Sequence, residues 1–291
     1  AVALRVFITI SGDLSAWSRV VISRAIPGAG LRKVVIARSE SEISMFTMNK
    51  LGCGLVTLAL LAMVPVASAQ RQMEKLGRGV VAVRTGAGSA YVGWRLLGTD
   101  AENIGFNVLR SANGGALAQL NGGLVTGSCN FTDSTINFAV SNAYFIQPVV
   151  GGVTQALSAP FGLAANPPTQ QFLNIPLQQP AGGTTADGVP YTYNANDCSV
   201  ADLDGDGEYE IVLKWDPTNS NDNSQSGFTG NVVLDAYKLN GTLLWRIDLG
   251  PNIRAGAHYT QFMVYDLDGD GRAELACKTA PGTRDGSGNY V

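Results

Sequence analysis

An acidic pattern occurs twice in this chain, and its recurrence limits the fold more than any other feature. ADLDGDGEYEIVLKW (201–215) and YDLDGDGRAELACKT (265–279) share D-x-D-G-D-G-x-x-E, and Asp266 lies 64 residues after Asp202. Strand-like runs bracket both copies. Between them, VVLDAYKLNGTLLWRIDL (232–249) places Asn240-Gly241 between two alternating runs, which predicts a hairpin with a two-residue turn. Each repeat therefore reads as strand, acidic turn, strand, long polar loop and hairpin. About four strands per repeat is the content of a β-propeller blade. The stretch 197–291 reads as the start of a truncated propeller, one repeat and the opening of a second, and hence as a fragment of a longer protein.

So many like charges in one turn should repel each other and raise each other's pKa. A divalent cation removes the conflict. The spacing offers side-chain oxygens from Asp202, Asp204, Asp206 and Glu210, and the main-chain carbonyl of Glu208. In the second copy the same positions are Asp266, Asp268, Asp270 and Glu274, with the carbonyl of Arg272. Oxygen-only ligation predicts calcium, with several ions in all. An EF-hand is excluded: its twelfth position needs a bidentate Glu, and Leu213 and Cys277 stand there, with strands in place of helices. The expected role of these ions is structural. The long loop 216–231 adds Asp216, Asn221, Asp222 and Asn223, where a substrate-gripping calcium could sit, although a solvated connection is the plainer reading.

Upstream of the repeats, 45% apolar and 15% charged residues define a globular chain of roughly two domains. A net charge of −3 gives no footing for nucleic acid. Residues 70–165 read as a fibronectin-III-like β-sandwich, from the runs GVVAVRT, SAYVGWRLL, NIGFNVLRS, STINFAVS and AYFIQPVV. Residues 166–196 are rich in Pro, Gln and Gly and read as a linker or lead-in. Residues 45–69 carry one Lys, an apolar run and small residues at Ala67 and Ala69, the form of a signal peptide cleaved after Ala69. That predicts a secreted protein, extracellular or periplasmic, with no stable membrane anchor. Residues 1–44 show no clear period and are read as a non-native or upstream extension. Cys129, Cys198 and Cys277 would remain after cleavage. Small buried strand residues are the expectation, and a 198–277 disulfide is left open.

The run from Lys214 to Gly286, KWDPTNSNDNSQSGF…DGDGRAELACKTAPGTRDG, closely resembles bacterial rhamnogalacturonan lyases of polysaccharide lyase family eleven, and RQMEKLGRGVVAV (71–83) resembles the start of their mature chain. The resemblance implies an all-β, calcium-rich protein with an eight-bladed propeller behind a small β domain. It also implies a substrate, the rhamnogalacturonan I backbone of pectin, cleaved by β-elimination at galacturonate, and a monomer is expected.

That reaction needs a base at C5 and a positive group on the neighbouring carboxylate. His258, the only histidine, is the candidate base; Arg254 is the candidate carboxylate clamp. Tyr259 could act as acid or stacking ring, and Lys214 as an alternative base if its pKa falls. The plainer readings are a structural histidine, a loop-closing Arg254, and a shared structural role for Lys214 and Lys278. Trp215 and Trp245 fall in apolar patterns and are expected in the blade core. The competing function is a non-catalytic calcium-binding propeller for adhesion or carbohydrate binding.

Overall fold

The computed structural model describes residues 75–256 and 259–291 in full, together with the backbone of three strands, Arg5–Thr9, Arg19–Ile26 and Ala29–Val35. The rest of the expected upstream extension, the signal segment at 45–69 and His258 lie outside the described residues. Among the described residues the regular structure is all β, and no helix is long and apolar enough to cross a membrane.

The first unit is a two-sheet sandwich. Val81–Arg84, Ala90–Gly93 and Asn130–Asp133 form one sheet in that order. In the other, Gly105–Ala112 pairs with Ala118–Gln119 on one side and Asn142–Val150 on the other, and Val153–Thr154 and Phe161–Leu163 both pair with Asn142–Val150. This is a three-plus-five arrangement in which Val153–Thr154 and Phe161–Leu163 pair with the same strand, and it has the strand order of a fibronectin-III module. Asn142–Val150 alternates as a sheet with one buried face should, so Tyr144 and Ile146 meet Val92, Trp94, Phe106 and Val108 between the sheets. Trp94 and Phe106 pack edge to face, with centroids 5.4 Å apart.

Two sequence expectations change here. STINFAVS is not a strand. The strand ends at Asp133, whose Oδ1 accepts from both the amide and the hydroxyl of Thr135, a local turn that competes with the ladder. Ile136 and Phe138 still enter the core, but from a loop. In SAYVGWRLL the alternation holds for Val92 and Trp94, while Leu96, past the end of the strand, is exposed.

The second unit is a four-stranded antiparallel blade: Tyr193–Ala201, Glu210–Pro217, Val233–Tyr237 and Leu243–Asp248. Both of its faces are apolar. Val212, Leu234, Ala236, Trp245 and Ile247 face one way, towards Ala273, Leu275 and Cys277 of the next repeat. Leu213, Trp215, Val233 and Tyr237 face the other way, with Tyr193. A blade covered on both sides explains why VLDAY is buried at every position. Both tryptophans lie in the core, as expected. Phe262–Tyr265 and Glu274–Lys278 form an antiparallel pair that repeats the first two blade strands.

The hairpin after Val233–Tyr237 is wider than the predicted two-residue turn. The Gly241 amide donates to the Lys238 carbonyl, the Lys238 amide donates to Thr242, and Gly241 takes φ 84°. A turn closed by a left-handed glycine adds a bulge between Ala236 and Tyr237.

The Pro-rich segment is bound to the blade. Tyr237 Oη accepts from the Gln178 amide, while Arg246 donates to the Gln178 carbonyl. The thiols of Cys129, Cys198 and Cys277 are unpaired. Cys277 is buried, which pushes its pKa up to about 12; Cys198 is exposed.

Candidate functional site

Strand direction separates the blade into two ends. The acidic turns and the Lys238–Gly241 turn lie at one end. The long loop 218–232 and the 249–261 connection lie at the other, about 24 Å away along an eight-residue strand.

At the first end both acidic turns fold alike. In the first, Asp202 accepts from the amides of Gly205 (2.6 Å) and Gly207 (2.9 Å), Asp204 and Asp206 accept from the amides two residues on, and Glu210 accepts from Leu203 (2.8 Å). In the second, Asp266 accepts from Gly269 (2.7 Å) and Gly271 (2.9 Å), Asp268 and Asp270 from the amides two residues on, and Glu274 from Leu267 (2.7 Å). Gly205 and Gly207 take φ of 79° and 86°, which side chains resist, so the glycines make the turn possible.

Asp202 and Asp266 thus use both oxygens on backbone amides, while the other carboxylates use one each, and oxygens of the set converge. Ligand atoms of Asp266, Asp268, Asp270 and Glu274 lie within 4.8 Å of one another, as do those of Asp202, Asp204 and Glu210. Glu274 is fully buried and its Oε1 has no hydrogen-bond partner. Burial pushes Glu210 and Glu274 up to about 7 and also raises Asp202. A buried, unpartnered carboxylate oxygen amid three more carboxylates fits a hard divalent cation, which prefers an all-oxygen shell.

In the first turn Asp206 has a further partner. Its free oxygen accepts from Lys238 Nζ at 2.6 Å, and that ammonium also lies 2.7 Å from Asp204. Burial alone would raise Asp206, but the lysine outweighs it and holds the carboxyl low. The side chain of Glu208 points to the sandwich instead, with Arg95 at 3.4 Å. Arg95 also donates to the Gly207 carbonyl and lies over the Tyr209 ring, and the Gly77 amide donates to Gly207 at 2.6 Å. The Ala273 amide donates to the Asp202 carbonyl, joining one acidic turn to the next. Arg272 lies against Gly205. Lys238 and Arg95 carried no signal in the sequence, because each is local to a different strand pair and meets the turn only through folding.

The other end gathers three of the residues nominated for chemistry. Arg254 donates to the carbonyls of Asn221, Asp222, Gln225 and Gly227, at 2.7 to 3.2 Å. Tyr259 Oη donates to Asp222 or Asn223 and accepts from the Asn223 amide. Asp222 is therefore far from both acidic turns and holds the long loop against Tyr259. Lys214 sits apart, buried within the blade, with Nζ 2.6 Å from Asp197 on the neighbouring strand. Lys278, at the matching position, is exposed, so the two lysines do not share an environment.

A sandwich joined to propeller blades by repeated acidic turns defines the class of protein. Comparison with known proteins narrows it. The family model "Rhamnogalacturonan lyase family 11, C-terminal domain" matches residues 172–291, and "Rhamnogalacturonan I lyases beta-sheet domain" matches residues 71–163. The chain belongs to the family-eleven rhamnogalacturonan lyases. It is 51% identical over 247 residues to rhamnogalacturonan endolyase YesW of Bacillus subtilis, covering 85% of this chain and 38% of that protein. It is 52% identical over 222 residues to rhamnogalacturonan exolyase YesX of the same species, covering 76% of this chain and 34% of that one. The solved Bacillus licheniformis rhamnogalacturonan lyase superposes with a TM-score of 0.67 at 56% identity, over 76% of this chain and 36% of its own. The chain thus spans little more than a third of the length of these relatives. The relatives named endolyase and exolyase match it almost equally.

Proposed function

We propose that the protein is a secreted lyase that cleaves the rhamnogalacturonan I backbone of pectin by β-elimination, with calcium ions in its acidic turns. The observation that carries this reading is identity above 50% to proteins named for that activity, running through both the sandwich and the blade. An adhesion propeller would need the acidic turns but not the 254–259 cluster.

Calcium would neutralise the carboxylates of Asp266, Asp268, Asp270 and Glu274, and those of the first turn, and so hold adjacent blades together. This end of the blade is where the ions would act as structure, because the polar cluster lies at the other. At that other end, Arg254 keeps its positive charge beside the loop while its donors bind neutral carbonyls, so its first role is to shape the 221–227 segment. It can attract a uronate carboxylate from there. His258, next to Tyr259, is the proposed base for the C5 proton.

The test is ultraviolet detection of unsaturated uronate released from rhamnogalacturonan I by the full-length protein. Product that needs calcium and is lost in His258→Ala supports the reading. No product from folded, calcium-replete protein refutes it.

A further inference from the structure

The two acidic turns offer different numbers of converging carboxylates, three in the first and four in the second. Asp206 lies outside the converging set of the first turn, and its Oδ2 faces Lys238. Lys238 begins the turn that joins the third and fourth blade strands, and its backbone is fixed there by the hydrogen bond to Thr242. From that position the side chain crosses to the acidic turn. Its ammonium lies 2.6 Å from Asp206 Oδ2, 2.7 Å from Asp204 Oδ2 and 3.9 Å from Glu210 Oε1. Three of the four carboxylates assigned to the first cation site therefore already face a positive charge supplied by the chain. An ammonium has three donors on a flexible stem and is content with this partial shell, whereas calcium takes six to eight oxygens. The side chain is 30% exposed, so it has a route out to solvent when a better cation arrives.

We propose that Lys238 is a tethered counter-ion that competes with calcium for the first acidic turn and keeps that turn folded without metal. The inference rests on the reading of both turns as calcium sites. Calcium entering the first turn must break two short ion pairs and leave Lys238 to be resolvated.

The experiment is calorimetric titration of the metal-free chain with calcium, in an Asp266→Asn background that weakens the second turn, comparing Lys238 with Lys238→Met and Lys238→Arg. Lys238→Met should tighten the first site by about tenfold or more, the scale of removing one unit charge from beside a divalent ion. Lys238→Arg, which keeps the charge, should stay close to the parent. Melting temperatures supply a second readout: Lys238→Met should melt below the parent in chelator and at or above it in calcium. Unchanged affinity in Lys238→Met, or melting that is lower in both conditions by the same amount, overturns the proposal while leaving the calcium sites standing. Absence of any calcium uptake by parent and variants alike overturns the calcium reading beneath it.

Discussion

Removing divalent ions should reverse the sign of the pH–stability slope between about pH 4.5 and pH 7. The perturbation acts on Glu210 and Glu274, both buried and pushed from 4.5 to about 7 by desolvation. In the metal-free chain the folded form holds these protons more tightly than the unfolded form. Their contribution is therefore fully present below 4.5 and is lost as pH rises through the folded value near 7. A rise from 4.5 to about 7 corresponds to about 3 kcal/mol for each carboxyl, and Asp202 moves in the same direction. Calcium reverses this dependence, because a ligating carboxylate must be ionised and bound metal stabilises only the folded form. Asp100, held low by its hydrogen bonds to Arg78, loses its contribution at lower pH and does not mask the effect. The assay is the urea midpoint across this pH range, for chain dialysed free of metal and for chain in millimolar calcium. The midpoint should fall with rising pH in the first series and rise in the second. Parallel curves would refute the assignment of these glutamates to a cation site.

Three further outcomes follow from contacts elsewhere. Asp235 is fully buried and accepts from Trp215, Tyr237 and Arg246, so Asp235→Ala should cost about 3–5 kcal/mol in urea unfolding by stranding Arg246 and two donors. Arg95→Ala removes the contacts to Gly207, Glu208 and Tyr209, and should destabilise by about 1–2 kcal/mol and raise protease cleavage between the sandwich and the blade. Arg254→Ala frees four carbonyls of the long loop, so amide exchange across 221–227 should speed up while the blade strands keep their protection.

Much of this was legible in the sequence because the signals are local. The acidic turns, their glycines and the strands on either side repeat within a few residues, and the four-strand blade follows from them. The STINFAVS segment misled because Ile136 and Phe138 carry a strand's composition, while the Asp133–Thr135 turn that breaks the ladder outweighs propensity. The hairpin was placed correctly but its turn was too short, since the bulge depends on how Ala236 and Tyr237 pair with the facing strand. Lys238 against Asp206, Arg95 against Glu208 and Arg246 against Asp235 were not legible. Each joins charges from different strands, and sequence spacing carries no record of which charges folding will bring together. Arg254 was found by its charge and position, but its four carbonyl partners could be known only once the loop had folded over it.

The division of the blade into two ends also explains why one acidic motif can recur while the chemistry need not. Each acidic turn sits where one blade meets the next: the Asp202 carbonyl takes the Ala273 amide, and Gly207 faces Asp202 with its amide and the sandwich with its carbonyl. A cation bound there, as proposed above, would stiffen that junction. The opposite end is built from long connections, 218–232 and 249–261, which bind each other through Arg254 and Tyr259, while Leu249 and Asn252 also bind the 281–283 segment of the next repeat. Loops there can vary without disturbing the junctions, because about 24 Å of hydrogen-bonded strand lies between them. Such separation leaves the acidic turns to set how one repeat meets the next, and the far connections free to differ between repeats.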